Sequence, residues 1–121
     1  MKMKDFPAFM RNPLNAIDPQ MQTPGNVGYV YDGKDGTQMA FWTSNSDITS
    51  QEHVHDFEEY VAVVHGQYTL TINDEEFILR PGDEYCIPKG VPHSGKTIKG
   101  TRAIYALGGK RAKRINEDEG K

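Results

Sequence analysis

The sequence lacks several features that would assign it to a familiar class of protein. A single cysteine, Cys86, excludes an internal disulfide framework and is typical of the reducing cytoplasm, where we expect this protein. No apolar run approaches the roughly 20 residues that span a bilayer, and residues 1–13 have no apolar core of a secretory signal. Fourteen basic against 17 acidic residues give a net charge of −3, so we expect neither a membrane nor a nucleic acid as partner.

Helical periodicity is also scarce, because no apolar stripe continues for more than about two turns. Short apolar runs instead alternate with turn residues, among 12 glycines and 7 prolines. The predicted strands lie within residues 26–31, 39–43, 53–65, 67–72, 76–80, 84–88 and 101–109. Residues 44–52 and 89–97 are predicted to be connections. Many short strands separated by regular turns predict an all-β sandwich or barrel.

The length of 121 residues suits one domain. We predict an N-terminal arm over residues 1–26, a β-barrel domain over 27–109 and a charged C-terminal tail over 110–121. The basic residues of this tail indicate either an anionic partner or a solvated segment; they are Lys110, Arg111, Lys113 and Arg114. Three acidic residues follow closely and favour the solvated segment; they are Glu117, Asp118 and Glu119.

The stretch HVHDFEEYVAVVHG, residues 53–66, places titratable side chains in a segment that otherwise has the composition of a buried strand. Charged groups are costly to bury unless something compensates them. Since side chains on a strand alternate between its two faces, His53, His55 and Glu59 share one face, whereas Glu58 points to the other. The pattern predicts an interior that is polar at one end and apolar at the other, with a bound metal as the compensating group.

A fourth candidate ligand, His93, follows a Pro-Gly-Pro turn in the stretch GDEYCIPKGVPHSGKT, residues 82–97. The two stretches have the spacings H-x-H-x3-E-x6-G and G-x5-P-x-G-x2-H. Together, and with only residues 67–81 between them, they resemble the two signature motifs of the cupin superfamily. Two end positions depart from the family's pattern: Asp47 stands where a glycine usually opens the first motif, and Thr97 where an asparagine commonly ends the second.

The resemblance implies a small single-domain cupin, which is an all-β double-stranded β-helix, or jelly-roll barrel. It also implies that one divalent metal is bound inside the barrel by His53, His55, Glu59 and His93. Three imidazoles and one carboxylate suit Fe, Mn, Ni, Co or Zn. Four protein ligands leave two positions of an octahedral ion open for water, dioxygen or a substrate, whereas a tetrahedral zinc with four protein ligands has none.

Other residues have less definite roles. The predicted pocket wall consists of Phe57, Tyr85, Ile87 and Tyr105. His65 shares the parity of the ligands but lies about 20 Å along an extended strand from Glu59, so we expect it at a barrel end or an interface. Cys86 is expected to be a small buried residue. Arg102 either pairs with a substrate carboxylate or faces solvent, and we favour solvent.

These observations predict a metal-dependent enzyme that acts on a small oxygenated molecule by dioxygenation, decarboxylation or isomerisation. The catalytic acid or base is unknown, although family analogy suggests Glu59 as a ligand that doubles as a base. The alternative is a non-catalytic cupin that binds or senses a small ligand. Because jelly-roll sheets have exposed edges, we also expect a homodimer in which residues 1–26 cross to the neighbouring subunit.

Overall fold

Nine strands and three short 3-10 helices form in the computed structural model, which describes residues 1–115 and 117. The 3-10 helices span Ala8–Arg11, Pro13–Asn15 and Pro19–Met21. The strands are β1 (Asn26–Asp32), β2 (Gln38–Ser44), β3 (Ile48–Thr49), β4 (Glu59–His65), β5 (Tyr68–Ile72), β6 (Glu75–Leu79), β7 (Glu84–Ile87), β8 (Ser94–Thr97) and β9 (Arg102–Leu107). In the described residues, no helix has the length and apolar character needed to cross a membrane. The predicted all-β class is confirmed.

The strands form two antiparallel sheets that enclose the core. One sheet has the order β1-β2-β9-β4-β7 and the other the order β3-β8-β5-β6. Apolar side chains of both sheets meet between them, with Val61 and Ile87 from the first sheet and Leu70 and Leu79 from the second. None of these four residues is more than 6% exposed. The two sheets therefore close over one apolar interior, as expected for a jelly-roll barrel.

The hairpin between β5 and β6 turns at Asn73 and Asp74, where the sequence predicted a turn. Their φ angles of 51° and 64° lie in the left-handed region. Ile72 and Glu75 are paired directly across the turn. Two-residue hairpin loops need positive φ at both central positions, and Asn and Asp tolerate it better than other non-glycine residues.

The strand predicted over residues 53–65 is only partly correct. β4 begins at Glu59, and residues 54–58 lie outside both sheets. His53 instead forms an isolated β-bridge with His93. Burial still alternates along the segment, with the odd-numbered positions from 53 to 63 more buried than their even-numbered neighbours. The predicted facing of the side chains is therefore present even where the chain pairs with no continuous strand.

His65 does not share the inward-facing side of β4 that its odd-numbered position predicted. The pairing of β4 with β9 shifts register between Val63 and His65, which is a β-bulge. A bulge inserts one residue and so reverses the alternation beyond it. His65 is exposed, and its Nδ1 lies 3.0 Å from the carbonyl oxygen of Gly100. It lies at the end of its strand, outside the histidine cluster described below.

Strands β3 and β8 occur where only connections were predicted. The sequence of β8 is SGKT, which has no apolar alternation, so periodicity gave no signal. Backbone pairing with β5 holds it in place, with Gly95 opposite Leu70. Gly95 is needed for close packing, because a Cβ at this position would lie 2.5 Å from the ring of Tyr68.

Both ends of the chain pack against the first sheet. Ile17 from the N-terminal arm and Ala112 from the C-terminal segment are buried in one apolar cluster with Val30 and Leu107. Ile17 also forms an isolated β-bridge with Arg114. The arm thus covers its own domain in the chain described, and crossing to a second subunit stays a prediction.

The segment after residue 109 differs from the solvated tail that its charges indicated. Ala112 is fully buried, and Glu117 binds Lys110 across 2.7 Å. The predicted roles of Asp118 and Glu119 lie outside the described residues. The domain boundaries at residues 26 and 109 stay predictions.

Replacing Gly95 with alanine should destabilise the fold, because the added methyl group overlaps the ring of Tyr68. We expect a loss of about 1–3 kcal/mol in the free energy of unfolding, which is typical of overpacking. Chemical denaturation followed by circular dichroism measures it. The matched control is Lys96→Ala on the exposed side of the same strand, and equal stability of the two variants would contradict the packing argument.

Candidate metal centre

The two sequence motifs meet at a backbone bridge between His53 and His93. The amide of His53 donates to the carbonyl of His93, and the amide of His93 donates to the carbonyl of His53, both at 2.9 Å. Such a hydrogen-bonded antiparallel pair holds the two Cα atoms about 5.5 Å apart. The amide of Gly90 also donates to the carbonyl of His55 at 3.0 Å. These bonds position the histidines without a continuous strand.

Three histidine rings converge at this bridge. The ring centroids of His53 and His93 lie 4.2 Å apart, those of His53 and His55 4.9 Å, and those of His55 and His93 5.3 Å. One ring nitrogen from each residue falls within 4.8 Å of the corresponding atoms of the other two. The predicted convergence of side chains from two distant stretches is therefore present in the geometry.

Backbone carbonyls fix the orientation of two of these rings. His53 Nδ1 lies 2.8 Å from the carbonyl oxygen of Gln51, and His93 Nδ1 lies 2.9 Å from that of Val91. A carbonyl oxygen only accepts, so each Nδ1 carries the proton and donates it. In the neutral ring Nε2 then keeps its lone pair, which is the arrangement that metal-binding histidines require.

The Nε2 atoms of two of these histidines are buried polar groups. Among the described residues, those of His55 and His93 are buried without a hydrogen-bond partner. Glu59 Oε1 lies 3.1 Å from His55 Nε2, but the contact lacks the alignment of a hydrogen bond. Buried polar atoms are normally satisfied, and an exception calls for a missing ion or water. The donor set therefore fits a metal ion.

Glu59 is a buried carboxyl group whose charge is compensated by its neighbours. Burial acts to raise its pKa, but the contact with His55 and the charges of His55, His93 and Arg111 outweigh burial, so the pKa lies below its usual value. For His53, burial is the largest influence and lowers the pKa of the imidazole. Both shifts favour the protonation states that bind metal, namely carboxylate and neutral imidazole.

A cavity opens beside the cluster and is lined by His53 and Glu59. Its walls include Trp42 and Tyr105, whose rings meet edge to face at 5.0 Å. Trp42 Nε1 donates to the side-chain oxygen of Gln22 at 2.6 Å. Neutral polar groups also line the cavity; they include Asn26, Ser50, Thr97 and Tyr68. The cavity thus combines aromatic faces with several hydrogen-bonding groups next to the histidines.

Of the four residues predicted on the pocket wall, Tyr105 lines this cavity. Phe57 instead stacks on the ring of His55 at 5.0 Å, with an angle of 9° between the ring planes. Tyr85 and Ile87 belong to the apolar cluster between the sheets, and Tyr85 contacts the ring of Phe77. Phe57 is therefore placed to orient a histidine, while Tyr85 and Ile87 pack in the core.

Two further expectations differ from the structure. Cys86 is exposed rather than buried, because it lies on the outer face of β7. Partial desolvation and the charge of Glu58 raise the pKa of its thiol, which disfavours a nucleophile. Arg102 is buried rather than facing solvent, and its guanidinium carbon lies 5.1 Å from the ring centroid of Phe6. The N-terminal arm covers it.

The sequence reasoning missed the contribution of the chain ends to the cavity. Gln22 and Thr23 come from the arm, and Arg111 from the segment interpreted as a tail. No periodic pattern identifies them, because they reach the cavity through contacts between residues far apart in the chain.

The chain belongs to the cupin family. The family model for the cupin domain matches residues 43–111, which include the four predicted ligands. Two solved structures illustrate the shared fold. An RmlC-like cupin from Shewanella frigidimarina NCIMB 400 superposes with a TM-score of 0.68 at 17% identity, covering 79% of this chain and 84% of the other. KdgF from a Halomonas species gives a TM-score of 0.66 at 16% identity, with 78% and 93% covered.

A curated relative provides a closer match in sequence over a shorter stretch. The HTH-type transcriptional regulator PuuR of Escherichia coli (strain K12) is 39% identical over 57 residues, which are 46% of this chain. The match covers 31% of the regulator. This chain therefore resembles about a third of that protein's length.

The ring tautomers at the bridge are directly testable. In the metal-free protein, the neutral rings of His53 and His93 should both carry their proton on Nδ1, because each Nδ1 faces a backbone carbonyl. Long-range proton–nitrogen correlation spectra distinguish the tautomers. Signals from Nε2-protonated rings at these two positions would contradict the described orientation.

Proposed function

We propose that the protein is a metal-dependent cupin whose single divalent ion is held by His53, His55 and His93, with Glu59 as the fourth ligand. The observation that carries this proposal is the pair of buried Nε2 atoms that lack hydrogen-bond partners at the centre of the cluster. Hydrogen bonds from Nδ1 to backbone carbonyls support it, since they leave Nε2 as the free donor atom of His53 and His93. Glu59 contacts His55 and adds the negative charge that a divalent ion favours.

A mixed set of imidazole nitrogens and a carboxylate suits Fe, Mn, Ni, Co or Zn and disfavours Cu(I). When bound, such an ion supplies Lewis acidity and open positions for oxygen ligands. The protein's own residues do the remaining work. Phe57 holds the His55 ring by stacking, and Trp42 and Tyr105 provide faces against which a small molecule packs.

We infer that the function is enzymatic, with a small oxygenated molecule as substrate and dioxygenation, decarboxylation or isomerisation as the class of reaction. The cavity adjoins the histidine cluster directly, so a molecule in it lies against the proposed ion. Glu59 is the one acidic group among the described lining residues, and its lowered pKa keeps it as a carboxylate. It is therefore the base that we propose in addition to its role as a ligand.

A second candidate function is a sensing cupin that binds a small ligand without turnover. The similarity to part of the transcriptional regulator PuuR favours it. The two functions differ in one measurement. Protein loaded with iron or manganese consumes oxygen or forms product if it is an enzyme, whereas a sensor shows saturable ligand binding with no product.

A cytoplasmic location and a homodimer are further proposals. Sedimentation equilibrium tests the homodimer.

Replacing His55 with alanine should reduce metal occupancy, because the variant loses one of three converging imidazoles. Metal affinity should fall by at least about tenfold, because removing a group that only supports a ligand already costs that much at metal sites. Metal analysis of protein dialysed against limiting zinc measures it. The matched control is His65→Ala, since His65 is exposed and outside the cluster. Equal metal content in the two variants would refute the proposed site.

A further inference from the structure

The cavity contains one cationic side chain, Arg111, among the lining residues that the structure describes. Its positive charge contributes to lowering the pKa of Glu59. Burial raises the pKa of Tyr68 and of Tyr105, and the charge of Arg111 acts against this rise. The guanidinium therefore lies within electrostatic reach of the histidine cluster. A metal ion there would add further positive charge, so the cavity is complementary to an anion.

Buried hydrogen bonds hold the backbone of Arg111 in place. The side-chain oxygen of Gln38 accepts from the amide of Arg111 at 2.7 Å and from the amide of Ala112 at 3.1 Å. The side-chain nitrogen of Gln38 donates to the carbonyl of Ala112 at 3.0 Å and to Asp32 Oδ1 at 2.8 Å. Gln38 is 2% exposed, and these four bonds use the full hydrogen-bonding capacity of its amide. The segment is fixed independently of the arginine side chain.

The guanidinium itself has spare donors. Its Nη1 donates to the carbonyl of Met21 at 3.3 Å. Within residues 1–115 and 117, no carboxylate forms an ion pair with Arg111, although Arg114 and Lys110 on the same segment do have acidic partners. Arginine carries five N–H donors in a planar fork that matches the two oxygens of a carboxylate. A cation on a fixed backbone in a cavity, with no ion pair to a carboxylate of the described residues, is suited to bind a ligand.

We propose that Arg111 binds the carboxylate of a small 2-hydroxy or 2-oxo acid in this cavity. The remaining polar lining supports a hydroxylated or carbonyl-containing molecule, because Asn26, Ser50, Thr97 and Tyr68 offer neutral hydrogen-bonding groups. This inference rests on the proposed function in one respect: the oxygen next to the carboxylate faces the ion held by the histidines. Arg111 is thus a specificity residue that selects anionic substrates.

The single tryptophan of the chain reports on this cavity. Trp42 lines it, and its indole N–H donates to Gln22, so one indole cross-peak in a proton–nitrogen spectrum follows occupancy without any turnover. The probes are lactate, malate and tartrate, each beside its neutral amide, with inorganic phosphate as a further anion. Zinc-loaded protein gives sharp signals because the ion is diamagnetic, and zinc can expand from four to five ligands. Metal-free protein is titrated in parallel.

The acids should shift the Trp42 indole signal saturably, and the amides should bind far more weakly. Arg111→Gln should weaken acid binding about tenfold to a hundredfold, which corresponds to a lost charge-assisted bond. Arg111→Lys should give an intermediate loss, since it keeps the charge without the fork. Lys110→Gln is the control, because it removes an adjacent charge that pairs with Glu117 on the surface. Thermal unfolding checks that each variant is folded.

Several results would overturn the inference: equal affinity for acids and amides, unchanged affinity in the Arg111→Gln variant, phosphate binding as tight as that of the acids, or no binding of any acid to the wild type. If the Arg111→Gln variant does not fold, the acid affinity of the Arg111→Lys variant decides whether Arg111 binds the carboxylate. Loss of zinc from the wild type during dialysis would instead refute the proposed metal site. Metal content and indole shifts are separate readouts, so the two failures are distinguishable.

Discussion

The site depends on two hydrogen bonds between the backbones of His53 and His93. They join two stretches that lie on either side of the hairpin between β5 and β6. Neither His53 nor His93 belongs to one of the named strands. Each ring is then oriented by a carbonyl two residues earlier in the chain. The same local arrangement occurs twice, once in each motif, so backbone carbonyls orient the rings of both His53 and His93.

Residue parity predicted the inward-facing side chains because it depends only on extended backbone. Glu59 is buried and Glu58 exposed, as the alternation from His53 required. The same rule failed at His65, where a bulge reverses the alternation. Bulges arise from mismatched pairing with a neighbouring strand, and that mismatch has no signature in the local sequence.

The elements that the sequence did not predict are those maintained by contacts with distant residues. Strand β8 has no apolar pattern and depends on pairing with β5. Arg111 resembled part of a solvated charged tail, yet the amide of Gln38 fixes its backbone beside the cavity. Arg102 resembled a surface residue, but the arm covers it through Phe6. In each case the deciding contact lies far away in the chain.

The cavity takes its walls from three sources: the barrel, the arm and the C-terminal segment. The barrel supplies the histidines, whereas the two ends supply Gln22 and Arg111. In the roles proposed above, ligand selectivity and metal binding are therefore assigned to separable parts of the chain. Exchange of a few terminal residues between such barrels would alter the lining of the cavity while the strands and the histidine cluster remain the same, which offers this architecture a simple route to functional divergence.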